Sequence, residues 1–199
     1  MSLTPQSMGR RERSKQDKLD RITAAASALF AEKGINDVTT QQIAEKADIG
    51  TGTLFLYAKT KGELLLLVQN VHYAQALSRG QVAAQKTPEI LDALLEIIKP
   101  IVECNRVQVD NGRTYLKEMV FGDPSEPHQA QALSIVASTE QAYTEVLQRN
   151  DHVSAADAGI LSRVISSITF LTMASTPAEV TTGALLENMR SQIAVILPH

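Results

Sequence analysis

Between Val38 and Lys61 the chain carries two helix starts and a tight turn in one short stretch, VTTQQIAEKADIGTGTLFLYAKTK. No other feature restricts the fold as much. Thr39 is followed three residues later by Gln42, the pattern in which two side chains satisfy amides left free at a helix start. A helix therefore begins here, with Ile43, Ala44 and Ala47 as its narrow apolar edge. It halts at Asp48-Ile49-Gly50, where Asp48 is placed to turn left-handed, a conformation Asp tolerates better than most side chains. Gly50 then caps a second helix, predicted from Thr51 to about Ala58. Thr60 and Glu63 repeat the capping spacing and start a third. Helix, short turn, helix is the geometry that sets a second helix into the major groove of DNA.

The rest of the chain is legible mainly as helices. With 199 residues, 44% of them hydrophobic, it can bury a core of one small and one larger unit. No segment alternates apolar and polar residues as a strand does, so the class is all-α, with roughly nine helices and no repeat. The net charge of -3 argues against a nucleic-acid binder until its distribution is read. Residues 1–61 hold ten Lys and Arg against seven Asp and Glu, whereas residues 62–199 hold nine against fifteen. Basic charge is thus gathered at one end.

A single Cys104 cannot close an internal disulfide and suits a reducing compartment. Residues 1–9 lack the order of a signal peptide, and no uninterrupted apolar run reaches the roughly 18 residues that span a bilayer. Val164 to Ala174, short and rich in Ser and Thr, comes nearest. The expectation is a cytoplasmic protein with no membrane partner.

Residues 1–14 are expected to be a disordered basic arm bearing Arg10, Arg11 and Arg13, followed by Lys15. The first helix is expected over Lys15 to Lys33, with Ile22, Ala25, Ala26, Leu29 and Phe30 inward and Gly34 as its stop. A long helix follows from Lys61 to about Gln85. Thr87-Pro88 then reads as cap and first residue of the next helix, which Pro100 ends or kinks. Asn111-Gly112 reads as a turn before a helix from Arg113 to Phe121. Later helices are expected over Pro127 to Arg149, Ser154 to Ala174, and Thr176 to Leu197, the last opened by Thr176-Pro177-Ala178-Glu179.

The stretch from residue 19 to 68 resembles the helix-turn-helix of the TetR family of bacterial transcriptional regulators. The likeness is carried by AEKGIND at the end of the first helix, then TTQQIAEKADI, then GTLFLYxxxKxELL. It implies domains at 15–60 for DNA binding and 61–199 for ligand binding and dimerisation, with Lys61 to Gln85 as connector. It implies a repressor that leaves a palindromic operator when a small-molecule effector binds. Tyr57 and Lys61 match the family's phosphate-contacting positions, and Gln41 a position some members use to read bases. The residues themselves add Thr51 and Thr53 as short polar groups for base edges, Gly52 for close approach, and Thr39 and Thr40 at a helix start. Three positions depart from the family pattern: Asp48 for a usual Gly, Phe55 for Tyr, and Ala58 for Phe. Phe55 keeps a flat face for a thymine methyl.

For an effector, expected to be small and hydrophobic or aromatic, the candidate contacts are Tyr73, Cys104, Tyr115, Met119, Phe121, Phe170 and Met173. The resemblance also implies that the last two helices pair with those of a second copy. Ile160, Val164, Ile168, Leu171, Leu186, Met189 and Ile193 are the candidate dimer residues, against the alternative that both stripes are core of a single chain. His72, His128, His152 and His199 are too scattered for a metal site. No phosphate loop or nucleophile elbow is present, so no cofactor and no enzymatic activity are expected. Two readings stay open beside the repressor: a DNA-binding dimer without an effector, and a helical carrier or enzyme in which residues 39–61 are only structural.

Overall fold

The structure, a computed structural model, describes residues 9–198. Among the described residues there are nine helices and no strand: α1 (Arg10–Lys33), α2 (Thr40–Lys46), α3 (Thr51–Leu54), α4 (Lys61–Ala84), α5 (Ile90–Arg106), α6 (Val109–Phe121), α7 (Pro127–Leu147), α8 (Ala155–Ser175) and α9 (Thr182–Ile196). The all-α expectation holds. Helix α4 is central and packs on α1, α5, α6 and α7. Its opening run Leu64, Leu65, Leu66, Leu67 and Val68 is buried on every side, so no apolar stripe could be read from it.

Several boundaries differ from the sequence expectation, each for a visible reason. The first helix begins at Arg10, not Lys15, so residues 10–14 are helical; the remainder of the expected arm, residues 1–8, lies outside the described residues. Arg, Glu, Lys and Gln are good helix formers, and nothing between Gly9 and Lys15 breaks their run. Thr87 and Pro88 do not open α5, because the Thr87 hydroxyl donates back to the Ala83 carbonyl and helps close α4. Pro100 lies inside α5, which continues past it. Ile97, Ile98, Ile101 and Val102, buried on both sides of the proline, hold the helix together. The Glu96 carbonyl, which Pro100 cannot bond, faces Gly80 of α4, where an added Cβ would lie only 2.9 Å from it.

Asn111-Gly112 is not a turn but part of α6. A Cβ on Gly112 would come within 2.2 Å of the Asn105 carbonyl oxygen, so glycine here serves close packing of α6 on α5. Thr176 closes α8 instead of opening α9, which Thr181 caps by accepting the Ala184 N–H. The intervening carbonyls are taken by arginines: Arg113 donates to Thr176, and Arg106 to Pro177, Ala178 and Val180. Helix α8 is, among the described residues, the one helix long and apolar enough to cross a membrane by length and composition. The run-length reading missed it because Arg163 and several hydroxyl residues interrupt it. Ala158, Ser162, Ile165, Thr169 and Met173 form its buried face, and it packs on α7 and α9.

Candidate functional site

Helix α2 starts with the predicted capping box: the Gln42 N–H donates to Thr39 Oγ1 (3.2 Å), and the Thr39 N–H donates to Gln42 Oε1 (2.9 Å). Its end is a Schellman closure. Asp48 takes the left-handed conformation (φ 54°), its N–H donates to the Glu45 carbonyl, and the Ile49 N–H reaches back to Ala44 at 3.0 Å. From α1, Arg21 donates to the carbonyls of Ala47 (3.0 Å) and Asp48 (3.2 Å) and faces the Asp48 carboxylate at 3.6 Å. The charge introduced by Asp48 therefore has a cation beside it, although so exposed a pair contributes little energy.

Beyond the turn, α3 is only four residues long, shorter than expected. Leu56 and Tyr57 donate to carbonyls three residues back instead of continuing the regular ladder. Gly, two Thr and two aromatics are poor helix formers, and Leu54 is the one member of α3 fully buried. The result is an outward face: Thr51 and Thr53 are half-buried, Gly52 is exposed with open space where a Cβ would be, and Phe55 is 44% exposed. Thr39 is exposed, Thr40 half-buried, and Gln41 exposed with its amide on Glu45 (2.9 Å). Lys61 spans back to the loop before α2, donating to Val38 (3.0 Å) and Asn36 (3.4 Å). The Tyr57 hydroxyl donates to the Lys15 carbonyl at 3.3 Å, joining α1 to the turn that follows α3. There a groove runs between Thr53, Leu56 and Tyr57 on one side and Arg10, Arg11, Lys15 and Lys18 on the other. Sequence reasoning missed Lys18 and Leu56; their helical spacing from Arg11 and Thr53 needed α1 extended to Arg10 and its packing known.

Two polar clamps tie this unit to the larger body. Asn111 accepts the Ile35 N–H (2.7 Å) and donates to the Phe30 carbonyl (2.8 Å), gripping the end of α1. At the start of α7, Glu126 pairs with Lys59, and this contact lifts the lysine's pKa. His128 Nε2 lies 3.0 Å from the Tyr57 carbonyl; a carbonyl only accepts, so this nitrogen carries the proton. The His128 carbonyl accepts from Asn70 (2.9 Å), and the Asn70 oxygen accepts the hydroxyl of Tyr115 (2.9 Å). A chain of hydrogen bonds thus runs from α6 through α4 and α7 to Tyr57, just after α3. Nearby, burial raises the pKa of Glu63, which His128 partly offsets.

Tyr115 also lines a cavity of about 420 Å³ among α4, α5, α6, α7 and α8. Its ring stacks on Tyr73 with centroids 4.2 Å apart and planes at 8°. Met119, Val136, Tyr143, Phe170 and Met173 add apolar wall, and Thr139, Ser166 and Thr169 add hydroxyls.

Residues 22–68 match the family model described as bacterial regulatory proteins, tetR family. The chain carries a tetR-family domain. Over 64 residues it is 34% identical to the HTH-type transcriptional regulator YuxN of Bacillus subtilis, 32% of this chain and 22% of that protein. Over 51 residues it is 37% identical to an HTH-type transcriptional regulator of Haemophilus influenzae, covering 26% and 27%. The matched stretch thus spans about a quarter of either relative. Among solved structures, a TetR regulator from Rhodococcus sp. RHA1 superposes with TM-score 0.71 at 16% identity, over 92% of this chain and 97% of the other. Thermus thermophilus FadR, solved in complex with lauroyl-CoA, gives 0.67 at 20% identity, over 90% and 92%. These likenesses extend the shared fold beyond the tetR-family domain to about nine-tenths of the chain.

Outside the tetR-family domain the candidates divide. Tyr73, Tyr115, Met119, Phe170 and Met173 come together around the cavity, but Cys104 and Phe121 do not. Cys104 sits half-buried on α5, where burial pushes its thiol up to about 11. Phe121 ends α6 and is 78% exposed. Tyr143, Thr139 and Thr169 were missed; four-residue spacing of hydroxyls along the inner face of α7 was the only sequence signal for the first two, and Thr169 on α8 had none. Of the proposed dimer residues, Ile160, Val164 and Leu171 are exposed on α8, and Ile168 and Leu186 are half-buried. Met189 and Ile193 are fully buried within their own chain, which corrects that assignment. They fall on the side of α9 that packs against α5 and α8, so the stripe of α9 is mostly core.

Proposed function

We propose that the chain is a cytoplasmic, sequence-specific DNA-binding transcriptional regulator, a homodimeric repressor that a small hydrophobic effector releases from a palindromic operator. The observation that carries this reading is the closed turn at Asp48, which presents Thr51, Gly52 and Thr53 outward beside a basic stretch of α1. In this reading residues 15–60 read DNA and residues 61–199 bind effector and partner. Thr51, Thr53, Gln41 and Phe55 meet base edges; Thr39, Thr40, Tyr57 and Lys61 meet phosphates; Gly52 allows close approach. The Thr39 oxygen is held by its cap, yet its hydroxyl proton is free for a phosphate oxygen.

One reading segment covers half an operator, and the exposed ridge Ile160, Val164 and Leu171 supports pairing through α8. Two copies must then present their segments about 34–36 Å apart, or a multiple, to meet successive major grooves. An effector in the cavity acts by favouring another spacing. The Tyr115, Asn70, His128 and Tyr57 hydrogen bonds supply a physical link between cavity and reading segment. That FadR of Thermus thermophilus was solved with lauroyl-CoA, whose acyl chain is apolar although its coenzyme A part is charged, supports a ligand with an apolar part for this fold. Relatives that are transcriptional regulators support a non-enzymatic role.

Selection of a bound sequence from random duplexes, followed by titration at several salt concentrations, tests the reading. A two-fold symmetric site with a steep salt dependence is expected. Lys61→Ala should weaken binding to every sequence and lower the salt slope by about one, whereas Thr53→Val should change base preference. Failure to select any site, or selection of a site without symmetry, sinks it.

A further inference from the structure

The cavity beneath α8 combines size with an unusual uniformity of charge. At about 420 Å³ it falls within the range of small-molecule sites, and none of the described residues lining it is ionised. Most of its hydroxyls, though not that of Ser166, are turned toward the protein. Thr139 and Thr169 donate to Ile135 and Ile165 in their own helices, Ser167 donates to Arg163, and Tyr115 donates to Asn70. The walls also penalise negative charge: burial pushes the phenols of Tyr73, Tyr115 and Tyr143 well above their ordinary range. What disfavours a phenolate here disfavours any anion brought in by a ligand, because no cation in the wall offsets the lost hydration.

We infer that this cavity selects an uncharged, largely apolar small molecule and rejects anionic ones of the same shape. This inference deepens the effector reading above and rests on it for its biological meaning, but its test does not depend on DNA. The aromatic faces of Tyr73 and Tyr115 and the side chains of Met119, Phe170 and Met173 give such a molecule a continuous apolar bed. The walls reach solvent at Val120 of α6, Leu133 of α7 and Ser167 of α8, which are exposed, so entry lies where these three helices meet.

The test uses two fluorescent probes with one skeleton, neutral phenylnaphthylamine and its sulfonated counterpart anilinonaphthalene sulfonate, titrated into the full chain. Phenylnaphthylamine should bind at least tenfold more tightly, and Ser166→Phe, which fills the cavity, should weaken it at least tenfold. Leu133→Arg, at the exposed rim, should narrow the gap by improving binding of the sulfonate; it keeps the test open should Ser166→Phe fail to fold. Equal or tighter binding of the sulfonate overturns the inference, as does absence of phenylnaphthylamine binding or indifference of its binding to both variants. If the neutral probe binds as expected but leaves DNA affinity unchanged, the ligand class stands and the effector reading is what fails.

Discussion

The reading segment and the cavity are built on opposite plans. Around α3 the decisive groups are backbone amides and short polar side chains, arranged by caps and a left-handed residue within a few positions of one another. Around the cavity they are apolar side chains from five helices, brought together over separations of up to a hundred residues. The first plan leaves its surface open and its specificity in a few exposed atoms. The second leaves a hollow whose character depends on what every wall lacks. Glycine shows the contrast most directly, since Gly52 faces open space whereas Gly112 and Gly80 lie against the backbone of a neighbouring helix.

The largest expected effect separates these glycines. Gly112→Ala should lower unfolding free energy by about 3 kcal/mol, because the new methyl group meets the Asn105 carbonyl and the helices must part. Gly52→Ala should instead raise stability slightly, by about 0.5 kcal/mol from helix propensity, while weakening DNA binding. Urea denaturation of both variants, with operator titration of the second, checks this; comparable losses of stability would erase the distinction. Next in size, Asn111→Ala should cost about 1–3 kcal/mol, since it strands the buried Ile35 N–H and removes one of the two donors to the Phe30 carbonyl, which keeps the Gly34 N–H, at the junction of the two regions. Hydrogen exchange at Ile35 should accelerate in that variant, and unchanged protection there would show that the clamp contributes nothing.

The smallest effect concerns pH. Burial raises the Glu63 pKa above its ordinary 4.5, so the folded state holds this proton more tightly than the unfolded chain. The group's contribution is therefore most favourable below its unfolded pKa and is lost as pH rises through the folded value. Glu63→Gln should stabilise the protein at neutral pH and show a shrinking advantage as pH falls to about 4. Equal stability of the two proteins across that range would contradict a desolvated carboxyl at this junction.

Where sequence reasoning succeeded and failed follows the same division. The Thr39 and Gln42 box, the left-handed Asp48 and the Gly50 cap were all legible, because each depends on neighbours within five residues. The same local rules misplaced Asn111-Gly112 as a turn and Thr176 as a cap. In both cases distant partners override local preference: Asn105 and the end of α1 for the first, Arg106 and Arg113 for the second. The reading face was visible as Thr51, Gly52 and Thr53, but of its flanking basic residues Arg10 and Arg11 read as an arm instead of a helix. For the cavity, the sequence offered a list of aromatic and sulfur-bearing residues without a way to tell wall from surface, hence the inclusion of Phe121 and Cys104. Met189 and Ile193 read as interface residues in the sequence because an apolar stripe does not reveal which helix covers it.

By itself the sequence determined an all-helical chain with a capped helix-turn-helix near its start, since capping, turning and helical periodicity are written in contacts between residues one to five apart. Tertiary structure alone decided that α6 runs through a glycine, that α9 turns its stripe inward, and that five helices enclose an uncharged hollow. Those outcomes depend on which surfaces meet across long separations, where packing and desolvation outweigh any local preference.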